Sequence, residues 1–196
     1  MTQILEKPAT DQHLVYHGLT WENFKLIQAG FAGASGVRLF YYDGTLEILM
    51  PGREHELFKT LIGYLIETFF LEKGILFQPT GSMAQEAEAT ASAQADESYC
   101  IGDPKPVPDL SIEVVFTSGG QNKLAQYQAL SVPEVWFWKD GVFQLYHLRG
   151  DHYDRISRSE LPALQELDLD LLTRCVLLAQ TNYAEAVRVF RREIQK

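Results

Sequence analysis

Residues 95–127 read in order as strand, turn, strand, loop and helix: ADESYCI, GDPKPV, PDLSIEVVF, TSGGQ and NKLAQY. Two alternating apolar segments around a Gly/Asp/Pro loop form an antiparallel hairpin, here with arms Ala95–Ile101 and Pro108–Phe116 joined by Gly102–Val107. A register symmetric about that loop sets Ile101 against Pro108 and, stepping outward, Asp96 against Glu113. Directly opposed residues share a face with Cβ atoms roughly 4.5–5.5 Å apart, and like charges so placed destabilise the pairing. A cation between them removes the repulsion, and carboxylate oxygens are the donors that Mg²⁺ or Mn²⁺ takes. A slip of two residues would instead set Glu113 against Ser98 or Gln94.

The period of two sorts the second arm into faces. Leu110, Ile112, Val114 and Phe116 make an apolar face; Asp109, Ser111, Glu113 and Val115 make the other. Glu113 therefore sits mid-strand among apolar neighbours, where an unpaired charge is costly. Asp109 shares its face but lies four residues earlier, about 13 Å away at roughly 3.3 Å per residue. That is too far to share an ion with Glu113, which leaves Asp96 as the partner. After the strand, SGGQNK breaks the extended run and a helix starts near Asn122, with Lys123 in its first turn and Tyr127 one turn later on the same face. A lysine there opposes the helix dipole, so its placement needs another reason.

The strings ADESYCI, PDLSIEVV and TSGGQNKLAQYQALSVPEVWFW, with EILMPGREHELFKTLIGYL upstream, resemble the bacterial Uma family of restriction endonuclease-like proteins, within the PD-(D/E)XK nuclease superfamily. The resemblance covers most of the chain. It implies an α/β (α+β) fold with a mixed central sheet flanked by helices. It also implies an endonuclease that hydrolyses DNA phosphodiester bonds with Mg²⁺ or Mn²⁺. Carried over residue by residue, Asp96 matches the first metal-holding acid, Glu113 the second, and Lys123 a catalytic lysine moved onto the following helix. Glu54 matches the extra acid that some superfamily members place on an N-terminal helix near the metal; Gln121 and His55 are candidate substrate contacts. Two positions depart from the pattern: Ala95 stands where proline precedes the first acid, and Val115 stands where the lysine usually follows the second. The alternative they keep open is a catalytically inactive binding or regulatory module on the nuclease fold. A metal-dependent hydrolase acting on a substrate other than nucleic acid is a third reading.

The rest of the chain supports one domain over residues 19–196, preceded by a polar, flexible arm over residues 1–18. At 196 residues and 46% hydrophobic content, one sizeable core is expected. Cys100 and Cys175 alone give no disulfide framework, and neither a signal segment nor a membrane span is evident, which points to the reducing cytoplasm. The net charge of −9 argues against a broad DNA-binding surface, since nonspecific affinity comes from Lys and Arg. The basic cluster Arg188, Arg191, Arg192 and Lys196 is expected to be a solvated helix end. Thr20 caps a helix that stops at Gly30, and VRLFYYDGTLEILM is a hairpin turning at Asp43-Gly44. A long helix runs from Arg53 to Lys73 with Leu57, Leu61, Tyr64, Leu65, Thr68 and Phe69 as its apolar stripe. Its first turn holds Glu54, His55 and Glu56, acids that also suit the helix dipole. Ile75–Gln85 is expected as a strand and EAEATASAQ as a mobile link. Pro133–Trp138 reads as a strand parallel to the one bearing Glu113, through a right-handed crossover. VFQLYHL and Asp151–Ser157 extend the sheet, with Trp136, Trp138, Tyr146 and Tyr153 as core and sheet-face residues. The last helix, over Asn182–Lys196, carries a stripe of Tyr183, Val187, Phe190 and Ile194 that packs on its own subunit or makes a homodimer.

Overall fold

Period-2 strands on either side of a tight loop do form the expected hairpin, and the register is the symmetric one. A computed structural model describes residues 9–116 and 120–196, the side chains of residues 120–122 excepted. In chain order the elements are β1 (Gln12–His17), α1 (Trp21–Gly30), β2 (Arg38–Tyr42), β3 (Thr45–Met50), α2 (Arg53–Glu72), β4 (Phe77–Pro79), β5 (Gln85–Ala87), β6 (Ala91–Ala93) and β7 (Glu97–Ile101). There follow β8 (Leu110–Val115), α3 (Gly120–Ala129), β9 (Glu134–Lys139), β10 (Val142–Arg149), β11 (His152–Ile156), α4 (Leu169–Ala179) and α5 (Tyr183–Ile194).

The central sheet is six-stranded, in the order β11-β10-β9-β8-β7-β4. β8 and β9 run parallel through the α3 crossover and the other pairs run antiparallel, so the sheet is mixed as expected. On one face, Ile112, Val114, Trp136 and Trp138 pack against Phe58, Ile62 and Leu65 of α2, with Val176 of α4 and Phe190 of α5 closing the layer. On the other face, Val115, Val135 and Phe137 meet Tyr127 of α3 and Leu130 just after it. Phe40, Leu49, Ala91, Ala93 and Ala95 join that second core from a five-stranded antiparallel sheet, ordered β1-β3-β2-β6-β5. The alternation read from β8 therefore sends its two faces into two different cores.

The second sheet recruits segments that looked irregular in the sequence. Gln12–His17, expected to belong to a flexible arm, pairs with β3 from Gln12↔Met50 to His17↔Thr45. Its six residues are all exposed, so it carries no burial signal; backbone pairing, with His13–Glu47 and His17–Thr45 contacts of 3.1 Å across to β3, makes it a strand. The alanine-rich link is structured: β5 and β6 form a short hairpin there, and Ala91 and Ala93 are fully buried. Small side chains let that hairpin lie close under α3, which hides it from any search for large apolar residues. Of the strand expected over Ile75–Gln85, Phe77–Pro79 forms β4 and Gln85 opens β5.

In α2, Leu61, Leu65, Thr68 and Phe69 of the expected stripe are buried, while Leu57 and Tyr64 are each 43% exposed. Phe58, Ile62, Ile66 and Phe70 widen the buried face on its other side, as the position of the sheet requires of a helix packed this deeply. α5 buries Phe190 and Ile194 in the core shared with α2 and α4, with Val187 packed partly against it, while Tyr183 at the start of the stripe is 43% exposed. Among the described residues no helix is long and apolar enough to cross a membrane.

Candidate active site

The chain passes from the second sheet into the central one at residues 94–96, and that crossing places Asp96. Gln94 accepts the Leu39 backbone N–H of β2 through Oε1 at 2.8 Å. Two residues on, Asp96 donates its own N–H to the Ile112 carbonyl at 3.0 Å. The register Glu97↔Ile112, Ser98↔Ser111, extended by one residue, sets Asp96 beside Glu113. Both acids are 0% exposed.

Each acid is neutralised by a cation of the chain itself. Glu113 Oε2 accepts from Lys123 Nζ at 2.6 Å, and Oε1 accepts from the Tyr127 hydroxyl. Lys123 and Tyr127 come from successive turns of α3, the arrangement that their spacing gives. The Lys123 ammonium also lies 4.3 Å from the Phe40 ring centroid, a cation–π contact. Burial, followed by the Glu113 charge, pushes Tyr127 well above its ordinary pKa, so its hydroxyl stays a donor. Asp96 Oδ2 accepts from the Val114 N–H at 2.6 Å, and Oδ1 pairs with Arg38 Nη1.

Arg38 is the main site residue that the sequence reading missed. It shares the inward face of β2 with Phe40, two residues on, so the alternation already carried the signal. Its guanidinium reaches Glu56 Oε1 at 3.2 Å through Nη2, and its Nη1 lies 3.1 Å from His55 Nε2. His55 is buried in the first turn of α2, with Nε2 at 2.7 Å from Asp96 Oδ1 and Nδ1 at 2.9 Å from Asp11 Oδ2. Asp11 in turn accepts the Gly52 N–H at 2.8 Å. Gly52 has to be glycine here, because a Cβ would come within 2.6 Å of the Thr10 backbone. Burial is the main cause that lowers the His55 pKa, with Asp11 opposing it and Arg38 adding to it. Beside Lys123 a cavity of about 20 Å³, lined by Asp11, His13, Glu47 and Phe116 among others, has room for one water.

Of the other residues expected in the site, Glu54 is exposed and stands apart from this group, and Gln121 has a side chain outside the described residues. Asp109 is engaged elsewhere, accepting from the Ile101 N–H at 2.7 Å and from Lys105 Nζ at 2.6 Å. The C-terminal basic residues are each held by an acid: Arg191 by Glu72 at 2.7 Å, Arg188 by Glu185, and Arg192 and Lys196 by Glu193. They form a solvated face.

The donors of Asp96 and Glu113 suit a hard divalent ion in kind, being buried carboxylate oxygens. Among the described residues, however, no three His, Cys, Asp or Glu side chains are arranged around one ion position. The cations already there are Arg38 and Lys123.

A mixed sheet with an antiparallel acid-bearing hairpin, a parallel crossover and helices on its face defines a nuclease-like α+β fold. It is similar to the crystal structure of a putative nuclease belonging to DUF820 from Anabaena variabilis ATCC 29413, with a TM-score of 0.51 and 15% sequence identity, over 70% of this chain and 90% of that one. The chain belongs to the Uma2 family, described as putative restriction endonuclease, whose model matches residues 21–179. No curated protein matches it.

Proposed function

We propose that the chain is an endonuclease hydrolysing DNA phosphodiester bonds with Mg²⁺ or Mn²⁺, in which Asp96 and Glu113 hold the metal and Lys123 is the catalytic lysine. The observation that carries this reading is the pair of fully buried acids, Asp96 just ahead of β7 and Glu113 on β8, with a buried lysine 2.6 Å from one of them. Burying charges is unfavourable unless they are paired, and two acids with two cations make a stiff, charge-balanced cluster that a core of this size does not need. The bound ion would lower the pKa of its water and take up charge on the scissile phosphate. Lys123, aimed by Glu113 and seated on Phe40, orients the attacking water and stabilises the phosphate charge. Tyr127 holds the Glu113 carboxylate in place from below. Family membership supports DNA as substrate, and the cytoplasm suits a chain whose two cysteines are free and buried.

The test is nicking of supercoiled plasmid and cleavage of single-stranded DNA in Mg²⁺ or Mn²⁺. Glu113→Ala is expected to lower the rate by about a thousandfold or more, in the range seen when a key electrostatic group is removed, while circular dichroism shows an intact fold. Cleavage retained by a folded Glu113→Ala protein would overturn the assignment. The second reading, a binding or regulatory module without catalysis, is favoured by one observation: all four carboxylate oxygens of Asp96 and Glu113 already accept from protein donors. It expects DNA or partner binding that is unchanged by Glu113→Gln.

A further inference from the structure

Three side chains meet at one point in the site, and only one of them is a cation. Arg38 Nη1 contacts Asp96 Oδ1 and lies 3.1 Å from His55 Nε2, and those two atoms are within hydrogen-bond distance of each other at 2.7 Å. Each of the two is fixed from behind. Asp96 has its other oxygen on the Val114 N–H, and His55 has its other nitrogen on Asp11, which the Gly52 N–H holds. The scaffold thus ties one atom of each group and turns the remaining atom towards a common position. Such a focus of an oxygen and a nitrogen donor is what a metal site uses, and here a guanidinium nitrogen sits in it.

We propose that Arg38 is the resident cation of this site: its guanidinium holds the position between Asp96 Oδ1 and His55 Nε2 that a divalent ion takes, so metal loading and displacement of Arg38 are a single exchange. The inference rests on the metal-dependent reading above and adds His55 as a nitrogen ligand. Arg38 has a place to go. Its second arm already reaches Glu56 Oε1 at 3.2 Å, and Glu56 is 31% exposed where Asp96 is 1%. A short swing towards Glu56 vacates the focus without leaving the guanidinium unpaired, an outcome a buried cation otherwise resists. In the unloaded protein the arrangement keeps Asp96 neutralised. In the loaded one the guanidinium, held by the partly exposed Glu56, stays beside the metal, where a phosphate would be received. A mixed oxygen and nitrogen set also favours Mn²⁺ over Mg²⁺, because imidazole is a poor ligand for Mg²⁺.

Calorimetric titration with Mn²⁺ and with Mg²⁺ tests this without any cleavage assay. Arg38→Met removes the competitor and is expected to tighten Mn²⁺ binding by about tenfold or more, since a buried charge pair is no longer broken on loading. Glu56→Gln removes the resting place and is expected to weaken Mn²⁺ binding by about threefold, the sign opposite to Arg38→Met. His55→Gln is expected to erase most of the preference for Mn²⁺ over Mg²⁺. If Arg38→Met binds Mn²⁺ no more tightly than the wild type, while Glu113→Gln abolishes binding, the exchange is wrong and the metal-dependent reading stands. If Arg38→Met tightens binding but Glu113→Gln does not lower it, the exchange stands and Glu113 is not a ligand. If neither the wild type nor Arg38→Met binds either ion, both fall. Should Arg38→Met not fold even with Mn²⁺ present, Arg38→Lys, too short to span Asp96 and Glu56, is expected to tighten binding in the same direction; an unchanged affinity there overturns the exchange.

Discussion

Glu113 on β8 and Glu134 on the neighbouring β9 are both fully buried acids, and the protein satisfies them in opposite ways. Glu134 accepts from the Trp136 indole at 2.6 Å, the Ser159 hydroxyl at 2.7 Å and the Glu160 backbone N–H at 3.0 Å, with the His147 ring nitrogen at 3.2 Å. Those donors come from β9, from β10 and from the segment after β11, and none is a lysine or an arginine. Glu113 meets only Lys123 and Tyr127, both from α3. The first acid is a clamp that ties three parts of the chain together through fixed dipoles. The second is balanced by a whole charge on a flexible stem, which can rearrange when another cation or a phosphate arrives. A carboxylate kept for the fold and one kept for chemistry can be equally buried, and the donors tell them apart.

Removing the clamp should have the largest effect on stability. Glu134→Ala strands the Trp136 and Ser159 donors and the Glu160 N–H inside the protein, and is expected to destabilise by about 3–5 kcal/mol in urea unfolding. A loss under about 1 kcal/mol, the range of an exposed pair, would mean that the clamp holds nothing together.

The reverse is expected of the other acid. Replacing Glu113 and Lys123 together, by Gln and Met, removes a buried pair without leaving either charge alone. Stability is expected to stay level or rise by about 1–4 kcal/mol, as for other buried pairs replaced by neutral side chains, while Mn²⁺ binding is lost. A double variant that unfolds as readily as Glu134→Ala would make Glu113 a structural acid too, and would break the comparison.

How much of this was legible in the sequence follows from which signals are local. The β7–β8 register could be read because a hairpin loop fixes the pairing of its own arms, and the β8 alternation then fixed the side of the sheet on which Glu113 lies. Lys123 and Tyr127 were legible as one helix face. Asp11 was not, because its role depends on a contact with His55 44 residues away, for which local spacing holds no trace. The second sheet was missed for a related reason. β1 is all exposed, and β5–β6 is built from Gln, Glu, Ala and Ser with no large apolar side chain, so neither carries an amphipathic pattern, and both exist because β2 and β3 present free edges to them. Arg38 lay between: its direction was readable from Phe40, but its partner was not.

A half-buried acid gives a smaller, pH-dependent effect. Glu97 starts β7 against α2, where a Cβ on Gly63 would come within 3.1 Å of its carboxyl carbon. Burial pushes its pKa from 4.5 up to about 7, with Glu67 and Glu56 adding to the rise and Lys59 and Arg38 opposing it. The folded state therefore favours the protonated form. The resulting stability is fully present below pH 4.5 and is lost as the pH rises through about 7. Glu97→Gln is expected to match the wild type at pH 4 and to exceed it at pH 8 by about 1–2 kcal/mol, after allowing for solvent screening. A difference between variant and wild type that is the same at the two pH values would show instead that folding does not raise the Glu97 pKa.

The smallest effect is expected where the sequence suggested one of the larger ones. Glu54 and Glu56 share the first turn of α2 on either side of His55, and at about 100° per residue the three side chains leave the helix in different directions. His55 goes inward to Asp96, Glu56 leans to Arg38, and Glu54 faces solvent. What Glu54 retains is its interaction with the helix dipole, so Glu54→Gln is expected to change stability by about 0.5 kcal/mol or less and to leave the Mn²⁺ dissociation constant unaltered. Glu56→Gln in the same turn is expected to move that constant. If Glu54→Gln instead weakens Mn²⁺ binding as strongly as Glu113→Gln does, the ion sits nearer the exposed end of α2 than the Asp96–His55 focus, and the division between a buried functional acid and a solvent-facing one fails at this helix.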